Sequence, residues 1–282
     1  MNFQNLQTSH WVHDLSPFIW KFSGKFENWG PGGIRWYGMS YLLGFLAAYF
    51  LLLLYHKSNR SPYDKDQVIN LMTFQIIGVL LGGRIGYLFL YQFETIISDP
   101  FQVLRVWQGG MASHGGFIGV FIATYWYAKK SSQNIRPIGD IIVSIVPPGL
   151  FFGRIANFIN GELWGRTTDV SFGVLFPKAP DFLLSIARHP SQLYAALLEG
   201  LLTFCFVQWR FWKTDVTKRN PGQLSGEFLI VYAIARITNE FFREPDATLL
   251  LGMTRGQFYS LFLILAGGIV IFWAKQSAKL KQ

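Results

Sequence analysis

The sequence predicts an all-α polytopic membrane protein with seven transmembrane helices, and three observations lead to this fold class. Only 15% of the 282 residues are charged and 51% are hydrophobic, whereas soluble domains carry about 25% charged residues. Seven apolar segments approach the roughly 20 residues that a helix needs to cross a hydrocarbon core. Lysine and arginine concentrate in alternate loops, which is typical of a chain that crosses a membrane repeatedly.

The seven predicted spans form a single membrane domain, 1–282. They cover residues 36–55, 68–91, 112–128, 138–159, 191–209, 225–243 and 257–274. Residues 160–190 form an insertion between the fourth and fifth spans, where Gly173, Pro177 and the apolar alternation in 170–176 predict turns and a short strand pair. The first 35 residues do not resemble a cleavable signal peptide, and we expect an exposed, partly helical lead-in.

The orientation of the spans follows from the basic residues between them. The loops 56–67, 129–137 and 210–224 and the tail 275–282 hold 13 of the 25 lysines and arginines in 44 residues, whereas the 99 residues on the opposite side hold 8. Basic loops remain in the cytoplasm, so the N-terminus is predicted outside and the C-terminus inside. The net charge of +9 then reflects topology and attraction to anionic lipid rather than nucleic-acid binding.

Polar residues gather at one depth near the outer ends of the spans. Arg84, Arg154 and Arg236 each lie five to seven residues before an outer end, which places them roughly 8 to 11 Å below the boundary. His114 and Tyr37 stand at the outer starts of two other spans. An arginine inside a span costs about 2.5 to 3.5 kcal/mol, so three at one depth predict anionic partners.

Structural explanations compete with functional ones for several of these residues. An ion pair with Glu199 explains Arg84 as well as a ligand contact does. Arg243 lies at the edge of its span, where its side chain is expected to extend to the lipid headgroups. A structural imidazole and a functional one remain equally open for His114, which precedes two glycines.

Two patterns within the spans point in different directions. A polar stripe on one face of the sixth span is formed by residues at i, i+4 and i+8, which are Tyr232, Arg236 and Glu240. The second span carries small residues every four positions, Gly78, Gly82 and Gly86. We interpret the stripe as part of a site and the glycines as a helix-packing surface.

The most specific motif is the run at residues 153–165, Gly-Arg-Ile-Ala-Asn-Phe-Ile-Asn-Gly-Glu-Leu-Trp-Gly. It closely resembles the signature of the bacterial prolipoprotein diacylglyceryl transferases, Gly-Arg-x-(Gly or Ala)-Asn-Phe-x-Asn-x-Glu-x-x-Gly. The resemblance continues through most of the chain, at residues 35–38, 82–87, 109–116, 188–194 and 240–246. It implies seven transmembrane helices with a periplasmic head, here the insertion 160–190, in the bacterial inner membrane.

The implied reaction moves the sn-1,2-diacylglyceryl group of phosphatidylglycerol to the lipobox cysteine thiol of a prolipoprotein and releases glycerol 1-phosphate. Arg154 and Arg236 are expected to hold phosphate oxygens, and His114 is the candidate base, with direct lowering of the thiol pKa as the open alternative. The further substrate-binding residues are Tyr37, Arg84, Asn157, Asn160, Glu162, Gly165, Tyr232 and Glu240. No cofactor or metal is expected: the reaction needs no metal, the sequence shows no cluster of metal ligands, and the single cysteine excludes a cysteine-rich metal site.

Two other classes of protein fit part of the pattern. A transporter or channel for an anionic lipid or solute would line its path with arginines, but such a path needs polar groups at several depths. The inner halves of these spans are mostly apolar, which favours a reaction chamber open on one side. A lipid-binding scaffold without catalysis is not excluded by the sequence.

Overall fold

The computed structural model describes residues 10–24, 32–105, 109–181 and 185–280, and most of them are helical. The long helices are α1 (Trp36–Lys57), α2 (Lys65–Tyr91), α4 (Ser113–Lys130), α10 (Gln223–Glu240) and α11 (Arg255–Lys279). Shorter helices are α3 (Phe93–Ser98), α5 (Ile135–Ile145), α6 (Pro147–Ile159), α7 (Ser191–Ala195), α8 (Thr203–Lys213) and α9 (Val216–Arg219). The strands are β1 (Trp11–Val12), β2 (Phe18–Lys21), β3 (Gly33–Arg35) and β4 (Val174–Leu175).

Four helices of the described part of the chain are long and apolar enough to cross a membrane. They are Trp36–Lys57, Lys65–Tyr91, Ile135–Ile159 and Arg255–Lys279. Helical residues also occupy the other three predicted spans. The number of seven crossings and their orientation stay predictions.

The fourth predicted span, 138–159, is divided into two helices. Helix α5 ends at Ile145, and α6 begins at Pro147 with a second proline at position 148. Proline lacks the N–H that would continue the hydrogen-bond ladder and suits the first turn of a new helix. Helix α6, which carries the 153–165 motif, therefore begins at this break.

Two helices begin with capping boxes that the sequence encodes locally. The Asp64 side chain accepts from the N–H of Gln67, and the Gln67 side chain accepts from the N–H of Asp64. Thr254 and Gln257 repeat the arrangement at the start of α11. These reciprocal bonds satisfy N–H groups that have no partner within the helix.

By its internal contacts the chain divides into two units. The first unit comprises the described residues within Met1–Ile19, Arg35–Gly44 and Val143–Gln282, and the second those within Trp20–Ile34 and Phe45–Ile142. In the first unit, β1 pairs in parallel with β4 of the 160–190 insertion. The described lead-in thus contains strands rather than the expected helix. The insertion pairs β4 with β1, and within it Arg188 forms antiparallel bridges with Thr167 and Val174.

In the second unit, α2 and α4 pack through facing glycines, which we call the glycine seam: Gly78, Gly82 and Gly86 of α2 with Gly115 and Gly119 of α4. A Cβ atom on Gly86 would lie 2.7 Å from the Cα of Gly115, a separation that real side chains do not tolerate. The backbones can therefore approach closely, as in membrane helices with small residues at every fourth position. This confirms the interpretation of the glycines as a packing surface.

A π-helical stretch, Ala196–Leu202, joins α7 to α8 and carries Glu199. At its end the Thr203 hydroxyl donates to the carbonyl of Leu198, five residues earlier. Gly200 lies against the backbone of Phe151 in α6, where a Cβ would approach the Phe151 Cα to 2.7 Å. The stretch therefore brings Glu199 close to the motif helix.

Candidate active site

The centre of the candidate site is a polar cluster of four side chains in the first unit, formed by Arg154, Glu199, Arg236 and Glu240. Glu199 is completely buried. One of its oxygens accepts from Nε and Nη2 of Arg154 at 3.1 and 2.7 Å, and the other accepts from Nη1 of Arg236 at 3.2 Å. A second carboxylate, that of Glu240, lies 2.5 Å from Nη2 of Arg236.

The charges of the polar cluster balance one another, and its two arginine side chains stay partly exposed. Two guanidinium groups face two carboxylates, so no net charge is buried, which would otherwise be very costly. The side chains of Arg154 and Arg236 remain 20% and 15% exposed. A guanidinium carries several N–H donors, and the carboxylates therefore leave both arginines able to bind an anion.

The helices that carry the cluster are held together by close approaches. Tyr232, Arg236 and Glu240 all lie on α10, and the ion pair between Arg236 and Glu240 spans one turn of the predicted polar stripe. Gly256, in the first turn of α11, abuts this pair: a Cβ there would lie 2.5 Å from the Glu240 carboxylate and 3.0 Å from Nε of Arg236. Glycine at this position thus permits the pair to pack beside α11.

Two tyrosines border the cluster. The Tyr232 hydroxyl accepts a hydrogen bond from Arg154, and its ring stacks on Phe228 with centroids 6.0 Å apart. Tyr37, in the first turn of α1, receives a hydrogen bond from Tyr41 and lies near the charges of Arg154 and Glu162. Both tyrosines predicted from the sequence are therefore neighbours of Arg154.

The end of the motif forms a turn organised by Glu162. Oε1 of Glu162 accepts from the amide of Asn157 at 2.8 Å and from that of Asn160 at 3.2 Å. Gly161 has a positive φ of 60° and lies against the ring of His13, where a Cβ would be 3.1 Å from the nearest ring carbon. Nε2 of His13 is bonded to the carbonyl of Phe158 at 2.7 Å.

Gly165 closes the motif and is enclosed by backbone on two sides. Its N–H donates to the carbonyl of His189, its carbonyl accepts from Nη1 of Arg188 at 2.9 Å, and an added Cβ would collide with the carbonyls of His189 and Phe242. Asp181 binds the other side of the Arg188 guanidinium, and this hydrogen bond holds the pKa of Asp181 below its usual range. Packing thus explains the glycine, and a substrate contact at Gly165 stays a prediction.

A small open pocket adjoins the cluster. Arg243 lines it, is 7% exposed and pairs with Asp246 at 2.9 Å. The expectation that Arg243 extends to the lipid headgroups is wrong, because its side chain is buried. The other polar lining residues are Arg154, Asn157, Ser191, Gln192 and Asn239.

Arg84 belongs to the second unit, where it is 2% exposed and holds a loop. Its Nε and Nη2 donate to the carbonyl of Gln102 at 3.2 and 3.1 Å, and its Nη1 donates to the carbonyl of Gly109. The hydrogen bonds described for Arg84 go to backbone carbonyls of its own unit, and the ion pair with Glu199 stays a prediction. A contact between Arg84 and substrate stays a prediction.

His114 also lies in the second unit, at the second position of α4. Its side chain is exposed, and Gly115 beside it belongs to the glycine seam. The structure leaves its role as a base a prediction.

Comparison with known proteins places the chain in a family. The sequence model of the family described as "prolipoprotein diacylglyceryl transferase" matches residues 25–273. The chain belongs to this family. The phosphatidylglycerol–prolipoprotein diacylglyceryl transferase of Idiomarina loihiensis is 45% identical over 254 residues, covering 89% of this chain and 92% of the relative. Proteins of the same name from Pseudoalteromonas atlantica and Pasteurella multocida are 43% and 45% identical over 90% of this chain and 89% and 92% of their own lengths.

Family membership and the apolar helices together make the chain a multi-pass membrane protein. Sequence reasoning found the arginines of this diacylglyceryl transferase family member but missed part of their surroundings. Gln192 and Asn239 were not singled out, although both are buried and line the pocket. Gln192 lies within 188–194 and Asn239 directly precedes 240–246, two segments of family resemblance, and this proximity was the available signal.

Proposed function

We propose that this protein transfers the sn-1,2-diacylglyceryl group of phosphatidylglycerol to the lipobox cysteine of prolipoproteins, the first step of lipoprotein maturation. The observation that carries the proposal is the pair Arg154 and Arg236, held by one buried carboxylate with part of each side chain exposed. The names of the relatives support the two substrates. In this reaction a sulfur–carbon bond forms and the carbon–oxygen bond to phosphate breaks.

The leaving group explains the need for arginines. As the carbon–oxygen bond breaks, negative charge grows on the phosphate oxygen of glycerol 1-phosphate. Guanidinium groups already oriented by Glu199 and Glu240 would stabilise that charge without reorganising, which is the most effective form of electrostatic catalysis. Tyr37, Tyr232, Asn157 and Asn160 would donate hydrogen bonds to lipid oxygens around them, and Glu162 would orient the two asparagines.

The thiol proton must also leave, and His114 is our candidate for the base. Histidine is the side chain most often used to accept a proton in catalysis near neutral pH. The alternative is that nearby arginines lower the pKa of the thiol directly. Replacing His114 with asparagine distinguishes the two, because loss of a base lowers kcat/KM by about 100-fold or more. A smaller loss of kcat/KM favours direct lowering of the thiol pKa by the arginines.

The proposed setting is the bacterial inner membrane with seven crossings, a periplasmic N-terminus and head insertion 160–190, and a cytoplasmic C-terminus. The charge distribution of the loops supports this orientation. It would expose the site to lipid of the outer leaflet and to secreted prolipoproteins. The lipobox cysteine would then meet phosphatidylglycerol on the periplasmic side.

Reconstitution tests the function directly. Purified protein in phosphatidylglycerol vesicles is incubated with a lipobox peptide, and the thioether product and glycerol phosphate are quantified together by mass spectrometry. We expect the two products in equal amounts, and none with a peptide whose cysteine is replaced by serine. A folded protein that moves lipid across the bilayer but forms no thioether would overturn the proposal in favour of a transporter.

A further inference from the structure

Two buried amide groups line the pocket beside the polar cluster. Gln192 and Asn239 are 2% and 1% exposed. Oε1 of Gln192 and Oδ1 of Asn239 are buried and accept no hydrogen bond from the part of the chain that the structure describes. Buried polar atoms nearly always have a partner, so two unpartnered acceptors on one pocket point to a ligand that donates hydrogen bonds.

The orientation of the Gln192 amide is fixed by its own hydrogen bond. Its Nε2 donates to the carbonyl of Glu162 at 2.6 Å, and a flipped amide would place two oxygens against each other. Oε1 is therefore the acceptor of this side chain. Asn239 lies three residues after Arg236 on α10, so its position is linked to that of the cluster.

The other groups that line the pocket indicate that the ligand is also anionic. Arg154 and Arg243 are cationic, and Asn157 carries an amide donor. Cations together with acceptors suit a ligand that is anionic at one part and carries hydroxyl donors at another. A choline headgroup has no donor for the two acceptors, and the ammonium of ethanolamine would be repelled by the arginines. A glycerol phosphate group has both properties.

We propose that Gln192 and Asn239 determine the specificity for the donor headgroup by accepting hydrogen bonds from the hydroxyls of the departing glycerol phosphate. This inference rests on the proposed function and assigns the headgroup end of the donor lipid to the pocket. A donor without hydroxyls would leave two buried acceptors unpaired, which is the arrangement by which polar sites discriminate most strongly.

The test compares two donors of equal charge. Phosphatidylglycerol and phosphatidylpropanol differ in the two headgroup hydroxyls, and both can yield the same thioether. We expect the wild-type protein to favour phosphatidylglycerol in kcat/KM by at least about 10-fold for each acceptor. Gln192→Met and Asn239→Leu, which keep the size but remove the acceptor, should each lower the donor ratio by about 10-fold.

A matched control lies in the second unit. Gln75 of α2 is 6% exposed, its Oε1 likewise lacks a partner, and its Nε2 donates to Thr124 at 3.1 Å. Gln75→Met therefore removes the same groups from a residue that does not line the pocket, and it should leave the donor ratio unchanged. The ratio is independent of the folded fraction of each preparation, since both donors meet the same molecules.

The outcomes separate this inference from the proposed function. Thioether formation with an unchanged donor ratio in both variants overturns the headgroup assignment and leaves the transferase intact. Absence of thioether from both donors with wild-type protein overturns both. If Asn239→Leu is inactive, Asn239→Asp keeps an acceptor and should retain the donor preference. Binding of glycerol 1-phosphate against propyl phosphate, measured by calorimetry, then supplies the ratio without turnover, and equal affinities in wild-type protein contradict the proposal.

Discussion

The polar cluster of the first unit and the glycine seam of the second show two opposite ways of packing helices in a membrane protein. In the cluster, α6, α10 and the π-helical stretch meet through four charged side chains around the buried Glu199. In the seam, α2 and α4 meet through glycines with no side chains between them. The seam is the simpler way to join helices, since it requires no desolvation of charge.

This difference indicates which region serves chemistry. A buried ion-pair network is a poor means of stabilisation, because the desolvation of its charges offsets much of their attraction. Arg84, in the same unit as the seam, is buried and donates to backbone carbonyls, whereas Arg154 and Arg236 keep part of their side chains exposed. We therefore expect substitutions in the cluster to impair transfer and those in the seam to impair stability.

The largest effect is expected for Arg154→Ala. If its guanidinium stabilises the departing phosphate as we propose, its loss should lower kcat/KM by about 1,000-fold, equivalent to about 4 kcal/mol. The matched control is Arg210→Ala, because Arg210 also binds a glutamate through two nitrogens, Nε and Nη2 to Glu227 at 2.6 Å each. Thioether formation per folded molecule is the measurement. Equal losses in the two variants would contradict the assignment of transfer to the polar cluster.

Glu199→Gln is expected to show how strongly the cluster depends on its shared carboxylate. Both arginines would lose a charged partner in a buried setting, so the free energy of unfolding should fall by about 3 kcal/mol. Glu227→Gln, at a pair whose side chains are 19% and 16% exposed, should cost about 1 kcal/mol or less. Thermal unfolding in detergent micelles measures both changes. A Glu199→Gln variant as stable as the wild type would contradict the role given to this residue.

The seam is tested by Gly119→Ala. The new Cβ would collide with the Gly78 carbonyl, and the helices must separate, at a cost of about 2 kcal/mol in unfolding free energy. Gly116→Ala is the control on the same helix, since its Cβ would meet nothing within 4 Å. We expect that variant to match the wild type in thermal unfolding. Transfer per folded molecule should be little changed in either, and a selective loss of kcat in Gly119→Ala would assign chemistry to the seam.

The smallest expected effect is a pH dependence of stability caused by His13, which follows β1 and contacts the motif. Burial lowers the pKa of His13 below its ordinary 6.5, so the folded protein favours the neutral ring more than the unfolded chain does. Between those two pKa values the unfolded state binds more protons, and stability therefore falls as the pH falls below about 6.5. His13→Gln retains a donor for the Phe158 carbonyl without titrating. Its unfolding temperature should change less than that of the wild type between pH 7.5 and 5.5. An equal change would show that His13 does not cause the pH dependence of stability.

Much of the helical pattern could be read from local sequence. Apolar runs mark the helices because each residue in lipid contributes its own transfer free energy, and α1, α2, α4, α10 and α11 each overlap a predicted span. The capping box at Asp64 and the proline break before α6 are likewise local, although the break was not predicted. The residues 153–165 carried the family resemblance because their unusual polar residues stand close together in a short segment.

The sequence by itself determined the class of protein, the arginines that lie within apolar spans, and the family. Only the tertiary structure decided their partners. Arg154 and Glu199 are 45 residues apart, and Arg236 and Glu199 are 37 apart, so helical periodicity carries no information about these bonds. The π-helical stretch that presents Glu199, and the buried amides of Gln192 and Asn239 on one pocket, also depend on packing between helices. Burial and partnership are properties of neighbours in space, and hydropathy along the chain does not contain them.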